Sequence, residues 1–163
     1  MGIFEIFKKK LPEVADDKIV SVCKGKMIQA TQIDDAIFAQ EIMGKTVGFI
    51  PEDEHIVAPC NGKLEVLFPT GHAFAIRRKD GTGILVHIGI NTVDMNGEGF
   101  TLFAKQGDEV KAGQKIVEID LEAIKNAGLS PTTMLIITEP VDNNNYDFMN
   151  YGDKEKAEII LNA

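Results

Sequence analysis

Three histidines, His55, His72 and His87, are the side chains of this sequence best suited to chemistry near neutral pH. An imidazole can act there as a nucleophile, a proton carrier or a metal ligand, because its pKa lies near ~6.5. His55 follows the acidic run 52–54, and we interpret it as a solvated turn residue. His72 and His87 are therefore the candidate pair.

The segments around these two histidines predict a β-hairpin. Residues 72–77 and 83–90 alternate as strands do, and Asp80-Gly81 between them is a strong turn signal. The alternation in 83–90 places three isoleucines and a valine on one face and His87 on the other. The hairpin should therefore hold His87 outside the core.

The turn type decides whether the two histidines meet. A two-residue turn at Asp80-Gly81 sets Phe74 opposite His87 and His72 opposite Gly89. The histidines would then share a face as diagonal neighbours, roughly 7–8 Å apart. An odd shift in register would separate them. Gly71 and Gly89 are expected to leave open space above the pair.

Paired histidines on an accessible face favour phosphoryl transfer over hydrolysis. A metal hydrolase needs a third ligand, and the sequence has no HxH or HExxH pattern. It also has no Walker loop and no GxSxG motif. A neutral imidazole nitrogen can attack a phosphoryl group while a second imidazole donates to its oxygens. Thr70 could fix the tautomer of such a ring, but the residues alone do not choose between phosphate and metal.

The elements that would position these residues predict an all-β fold with a few short helical turns. Many short strands separated by glycine turns are typical of an antiparallel sandwich or barrel-sandwich. Strands are predicted at 19–22, 46–50, 63–68, 83–90, 115–119, 134–138 and 158–161, and helices at 35–43 and 121–127. Residues 141–151 are expected to form a loop.

A short internal repeat supports a duplicated architecture. Residues 20–27 match residues 57–64 with an offset of 37, which aligns Cys23 with Cys60 and a Gly-Lys pair with its copy. A repeated strand–glycine–strand unit of this kind predicts two similar halves within one domain.

Composition excludes several classes of function. The net charge of −8 argues against nucleic-acid binding, which requires clustered cations. The two cysteines form no CxxC motif and are predicted to be reduced thiols of a cytoplasmic protein.

We expect residues 1–17 to form a flexible segment and residues 18–163 a single domain. Apolar residues followed by lysines in 2–10 offer peripheral contact with the inner face of the membrane, and a frayed terminus is the simpler interpretation.

The sequence resembles the glucose-class enzyme IIA of the bacterial phosphoenolpyruvate-dependent sugar phosphotransferase system. The similarity covers almost the whole chain, and its most specific part is VHIGI with an upstream T-G-H-A-F. The segments that carry it are 38–44, 57–62, 69–74, 85–93, 97–100 and 107–113.

The resemblance implies an antiparallel sandwich built on a duplicated hybrid motif, and a phosphotransferase that works through a phosphohistidine. His87 would accept the phosphoryl group on Nε2 from the phosphocarrier HPr and pass it to a cysteine of a glucose-type IIB domain. His72 would stabilise that group, with Thr70 hydrogen-bonded into the site. No cofactor is implied, and a monomer is expected. Predicted docking residues are the apolar Phe38, Phe68, Phe74 and Val86 with the acids Asp35 and Asp94.

Two other functions stay open at this point. A biotinyl or lipoyl carrier is suggested by the turn 107–114, although Lys26-Met27 reverses that family's Met-Lys order. A zinc-binding module would use His72 and His87 with a third ligand from a regulatory partner. Asn91 stands where some members of the resembled family have Asp, which removes a charge from the docking rim. The sugar served is not encoded in any pattern we find.

Overall fold

The computed structural model describes residues 11–163, so the predicted membrane contact of residues 2–10 lies outside the described part of the chain. None of the helices in residues 11–163 is long and apolar enough to cross a bilayer. The strands are β1 Lys18–Val20, β2 Gly25–Gln29, β3 Lys45–Pro51, β4 His55–Val57, β5 Gly62–Leu67, β6 Ala73–Arg77, β7 Gly83–Ile90, β8 Phe100–Leu102, β9 Glu109–Val110, β10 Lys115–Ile119, β11 Ser130–Glu139, β12 Gly152–Lys154 and β13 Ile159–Asn162.

Within residues 11–163, two short α-helices and two 3-10 turns connect these strands. The α-helices are α1 Ala36–Ala39 and α2 Leu121–Asn126, and the 3-10 turns span Ala30–Gln32 and Thr92–Met95. Helix α1 is shorter than the predicted 35–43. Asp35 caps its N-terminus by accepting from two backbone N–H groups, and the helix ends before Glu41, which has a φ of 55°.

All strand pairs are antiparallel and form three sheets. The large sheet has the order β12-β2-β3-β11-β7-β6-β5-β9, and the smaller sheets are β4-β10-β8 and β1-β13. The predicted all-β, antiparallel fold is confirmed. The main core lies on one face of the large sheet, where β6 and β7 contribute Phe74, Ile84, Val86 and Ile88.

The duplication is visible in the backbone pairing of the two repeated segments. The Val20 N–H donates to the Pro59 carbonyl at 2.7 Å, and the Val57 N–H donates to the Val22 carbonyl at 2.8 Å. Val20 corresponds to Val57 and Val22 to Pro59 at the same offset of 37 residues, so the two bonds are equivalent under the repeat. The order of the large sheet repeats this symmetry, because the hairpins β2–β3 and β5–β6 occupy matching positions on either side of the β11–β7 pair.

The turn of the β6–β7 hairpin differs from the prediction. Arg77 pairs with Gly83, and the Arg78 N–H donates to the Thr82 carbonyl at 2.9 Å, so the loop contains the three residues 79–81. Gly81 has a φ of 98°, as expected for a type I turn followed by a left-handed glycine. The register therefore shifts by one residue, which sets Ala73 opposite His87.

The first described residues contact the body of the fold. The Asn61 side-chain amide donates to the Val14 carbonyl at 2.6 Å and to Asp16 at 3.0 Å. The predicted boundary between residues 1–17 and 18–163 stays a prediction.

Candidate active site

His87 lies on the face of β7 that points away from the main core. It is half-buried, and the ring of Phe38 packs at a centroid distance of 5.1 Å. The Nδ1 of His87 is 2.9 Å from the Gly89 carbonyl oxygen. Because a carbonyl oxygen can only accept, Nδ1 carries the proton in this contact. The Nε2 of the neutral ring therefore keeps its lone pair and is the ring atom that can act as a nucleophile.

Gly89 can make this contact because it has no side chain. Its φ of 80° turns the chain so that its carbonyl oxygen meets the ring of His87 two residues earlier. A Cβ at this position would overlap Cγ2 of Thr92 and lie 3.0 Å from the Ser130 carbonyl oxygen. The glycine is therefore required by the backbone here, and it does not open space above the histidines as the sequence suggested.

Gly89→Ala is expected to lower the free energy of unfolding by about 2 kcal/mol, because it adds a side-chain overlap to a strained backbone conformation. Gly107→Ala is the matched control, since Gly107 also has a positive φ but a Cβ added there would have nothing within 4 Å. The control substitution should lower the free energy of unfolding by about 1 kcal/mol. Urea denaturation of both variants measures the difference, and equal losses would contradict the overlap.

His72 lies just before β6, where Gly71 has a φ of 76°. Only 7% of His72 is exposed. Its Nδ1 is 2.7 Å from Thr70 Oγ1, and the ring of Phe68 stacks on it at a centroid distance of 5.1 Å. The predicted contact with Thr70 is thus present, and the ring nitrogen nearest the backbone is occupied in each of the two histidines.

The two histidine rings are in contact, although the alternation of side chains along the strands does not explain it. Their centroids are 5.5 Å apart with an interplanar angle of 76°. The backbone carbonyl of His72 accepts from the Ile88 N–H at 2.6 Å, so the observed register would place the two histidines on opposite faces. Because His72 follows Gly71 outside the regular strand, its side chain is free of that alternation and reaches His87 at the end of the sheet.

Burial lowers the pKa of both histidines. For His87 burial is the largest cause and the neighbouring His72 lowers the pKa further, while the Gly89 contact and the charge of Asp35 raise it. For His72 burial is the cause of the lowered pKa. Both rings are therefore neutral at pH 7, as a nucleophile and a neutral hydrogen-bond donor require.

The same shift predicts a pH dependence of stability. Because the folded pKa values of His72 and His87 are below the unfolded value of ~6.5, the unfolded chain binds protons first as the pH falls. The stability that comes from the neutral rings should be complete above about pH 6.5 and should decrease as the pH drops through the folded pKa values. Urea denaturation at pH 7.5 and 5.5 measures the loss, and a His72→Gln/His87→Gln variant should show a smaller one. An equal loss in that variant would contradict the assignment.

The predicted docking residues divide into those that lie outside the main core and those that are buried in it. Phe68 stacks on His72 and is 41% exposed, and Asp35 caps α1 near His87. Phe38 contacts His87, but it is buried in a second core cluster with only 9% of its area exposed, which differs from the predicted surface position. Asp94 is exposed in the 3-10 turn Thr92–Met95.

Phe74 and Val86 are wrong as surface residues. Neither has any exposed area, and they face each other across β6 and β7 in the main core. The one-residue shift in register explains the error for Phe74, because it moves Phe74 from opposite His87 to the core face. Val86 is buried as the alternation in β7 had already indicated.

Sequence reasoning missed several apolar residues around the site. Phe100 and Leu102 of β8 approach Gly71 so closely that a Cβ there would lie 2.9 Å from the Phe100 Cβ. Ile37, which precedes Phe38, is 51% exposed and adds to the exposed ring of Phe68, which was predicted. The histidines thus lie within a partly exposed apolar surface, which neither alternation nor motif spacing had indicated.

Within residues 11–163, no three His, Cys, Asp or Glu side chains converge in a way that could hold a metal ion. Each histidine has its Nδ1 engaged, so the Nε2 atoms are the ones left for chemistry. The pair can offer one nucleophilic nitrogen and one neighbouring donor.

The comparisons with known proteins agree on one family. The model of the phosphoenolpyruvate-dependent sugar phosphotransferase system, EIIA 1, matches residues 17–143. The glucose-specific EIIA component of Borreliella burgdorferi is 36% identical over 164 residues, covering 100% of this chain and 84% of that protein. The glucose-specific EIIA component of Halalkalibacterium halodurans is 37% identical over 139 residues, covering 83% of this chain and 80% of that protein.

Two further matches extend this picture. The glucose-specific EIICBA component of Staphylococcus saprophyticus is 45% identical over 118 residues, which are 72% of this chain but 17% of that longer protein. The solved structure of glucose permease IIA from Mycoplasma capricolum matches with a TM-score of 0.83 and 32% identity, covering 88% of this chain and 92% of that one.

Proposed function

The chain belongs to the EIIA 1 family of the phosphoenolpyruvate-dependent sugar phosphotransferase system, and we propose that His87 Nε2 carries a phosphoryl group from HPr to a cysteine of a glucose-type IIB domain. The observation that supports this most directly is the bond from His87 Nδ1 to the Gly89 carbonyl, which leaves Nε2 unprotonated. The family assignment removes the biotinyl or lipoyl carrier from consideration.

Both steps of the phosphoryl transfer conserve atoms and electrons without any cofactor. The Nε2 lone pair of His87 attacks phosphorus, a new P–N bond forms, and the bond from phosphorus to the donor breaks with its electron pair going to the donor. In the second step a cysteine thiolate of the IIB domain attacks the same phosphorus, and the P–N bond to His87 breaks. The Nδ1 proton stays on the ring throughout, because the Gly89 carbonyl holds it.

His72 is proposed to donate a hydrogen bond from Nε2 to the phosphoryl oxygens. Donation from the Thr70 hydroxyl to His72 Nδ1 would place the proton of the neutral ring on Nε2. That N–H lies beside the His87 ring, where charge develops on the transferring group. Thr70 is thus a positioning residue that acts through His72.

The apolar side chains around the histidines are proposed to form the docking surface. Phe38, Phe68 and Ile37 would exclude water from the phosphohistidine when a partner binds. Asp35 and Asp94 would meet cationic side chains of HPr at the edge of this surface. Asn91 has a φ of 62°, is exposed, and would keep one position of that edge uncharged.

Phe68→Ala is expected to lower kcat/KM for phosphoryl acceptance about tenfold, because it removes an exposed aromatic anchor. Its stability should change little, since Phe68 is 41% exposed. Phe74→Ala is the matched control: it should cost about 3–5 kcal/mol of stability as a buried core residue. Steady-state transfer assays and urea denaturation distinguish the two, and an unchanged kcat/KM for Phe68→Ala would remove it from the surface.

The experiment that tests the function is incubation with phosphoenolpyruvate, enzyme I and HPr. The protein should gain about 80 Da, the mass of one phosphoryl group, in a form that is labile to acid and stable to base. The modified residue should be His87, and addition of a glucose-type IIB domain should remove the group. No mass gain in the complete mixture would refute the proposal.

A regulatory zinc site shared with a partner remains a second proposal. His87 offers Nε2, and His72 would offer Nε2 only in the tautomer in which its Nδ1 donates to Thr70. A structural site needs further ligands at about 2.0–2.3 Å from the metal. Those ligands would have to come from the partner, because residues 11–163 supply no third one. Partner-dependent retention of zinc, lost in His72→Gln, would support it.

A further inference from the structure

A cleft at the far end of β5 and β6 collects positive charge in a chain whose net charge is −8. It lies beside Arg77, the last residue of β6, whereas the histidines lie beside its first residue, Ala73. The two places are separated by roughly 15 Å along the strand. The cleft is lined by five cationic side chains, Lys63, Arg77, Arg78, Lys79 and Lys111, and by two carboxylates, Asp16 and Glu109.

Most of this positive charge is not neutralised by ion pairs. Arg77 pairs with Glu65 and Glu139, on the strands next to it. Lys63, Lys79 and Lys111 are exposed and form no ion pair within residues 11–163. Three exposed ammonium groups therefore line this cleft beside the carboxylates of Asp16 and Glu109, and they are available to contact an anion.

Arg78 provides an independent indication of a ligand. It is only 3% exposed, and its Nη2 donates to Asp80 at 2.7 Å and to the Ala163 carbonyl. Its Nε and Nη1 have no acceptor, and they are the only buried side-chain polar atoms without one in the described part of the chain. Buried guanidinium nitrogens that lack acceptors are unfavourable, and they are often completed by a water or an ion.

We propose that this cleft binds a small anion that carries phosphate groups. Three ammonium groups suit a multiply charged oxyanion, and a guanidinium N–H without an acceptor suits one of its oxygens. The cleft has a volume of about 420 Å³, which suits a small phosphorylated compound. The anion contacts the lysines at the mouth, and an oxygen that moves deeper supplies the acceptor that Arg78 lacks.

Isothermal titration calorimetry with inorganic pyrophosphate tests the site in the full chain at constant ionic strength. We expect the double variant Lys63→Gln/Lys111→Gln to bind pyrophosphate about tenfold more weakly than the wild type or worse. The matched control is Lys24→Gln/Lys26→Gln, which removes the same charge from exposed lysines of the β2 region. Binding to the control should be weakened less than threefold.

Two further readouts locate the ligand. Pyrophosphate should shift the backbone amide NMR signals of residues 62–63, 77–79 and 109–111. His87→Gln should bind it as the wild type does, because the histidines are at the other end of β6.

Three outcomes would overturn the proposal. They are no binding at about 10 mM pyrophosphate, equal weakening in the two lysine variants, and loss of binding in His87→Gln. The last would place the probe at the histidines. None of these results bears on whether His87 is phosphorylated.

Discussion

His87→Gln is expected to accept no measurable phosphoryl group from phospho-HPr, with a loss of more than about 10⁴-fold in rate. The substitution removes the only atom proposed to bond to phosphorus, and a glutamine amide nitrogen has no available lone pair. A radiolabel or intact-mass assay with enzyme I, HPr and phosphoenolpyruvate measures the loss.

The fold should survive this change, because His87 is half-buried on the outer face of β7 and makes one hydrogen bond, to Gly89. A thermal melt of the same sample is the control, and a midpoint close to that of the wild type is expected. Labelling of His87→Gln at His72 would contradict the assignment of the nucleophile, since it would show that either ring can accept the group.

His72→Ala is expected to accept the phosphoryl group but to pass it on to the IIB domain about 10²–10³-fold more slowly. In the first step His87 still provides the nucleophile. In the second step the phosphoryl group leaves the His87 ring, which keeps the electron pair of the P–N bond, and moves to the thiolate without the neighbouring N–H donor that would stabilise its oxygens. Single-turnover transfer from phosphorylated protein to a glucose-type IIB domain measures this rate.

Thr70→Val provides the matched variant for His72. It keeps the shape of the side chain and removes the hydroxyl that contacts His72 Nδ1, so the ring stays but its tautomer is no longer held. We expect a smaller loss, about tenfold, in the second step alone. If His72→Ala accepts and transfers the phosphoryl group as fast as the wild type, His72 only fills space beside His87.

Local patterns were sufficient to predict most of the strands. The alternation in β7 and the β-branched run in β10 gave the observed bounds of both strands, because each has a buried face that the sequence marks. Helix α1 was predicted too long, since nothing local shows that Glu41 adopts a left-handed conformation. The repeat at Cys23 and Cys60 correctly indicated two related halves.

The hairpin turn was the point at which local patterns were insufficient. Asp80-Gly81 occurs in two-residue and in three-residue loops, and these differ by one residue in register. That single step placed Phe74 opposite His87 in the prediction and opposite Val86 in the structure. The proximity of the two histidines was predicted correctly, but from strand alternation. In the structure His72 lies outside the regular strand, so alternation does not explain the contact.

The contact between His87 and the Gly89 carbonyl could not have been predicted from spacing. It depends on a left-handed glycine that turns the end of β7, and strand alternation does not describe such a bend. The resemblance implied Nε2 of His87 as the nucleophilic atom, and the contact with the Gly89 carbonyl gives a physical reason for that proposal.

The matching hairpins β2–β3 and β5–β6 have a consequence for how such a site could arise. The loop of the first hairpin brings Phe38 to His87, and the loop of the second brings His72 to it from another direction. A symmetric homodimer of one such half would present two identical loops at its axis, and could not surround one histidine with two unlike neighbours. Joining both halves in one chain lets each loop carry its own side chains, so two related hairpins can present unlike residues to the same histidine.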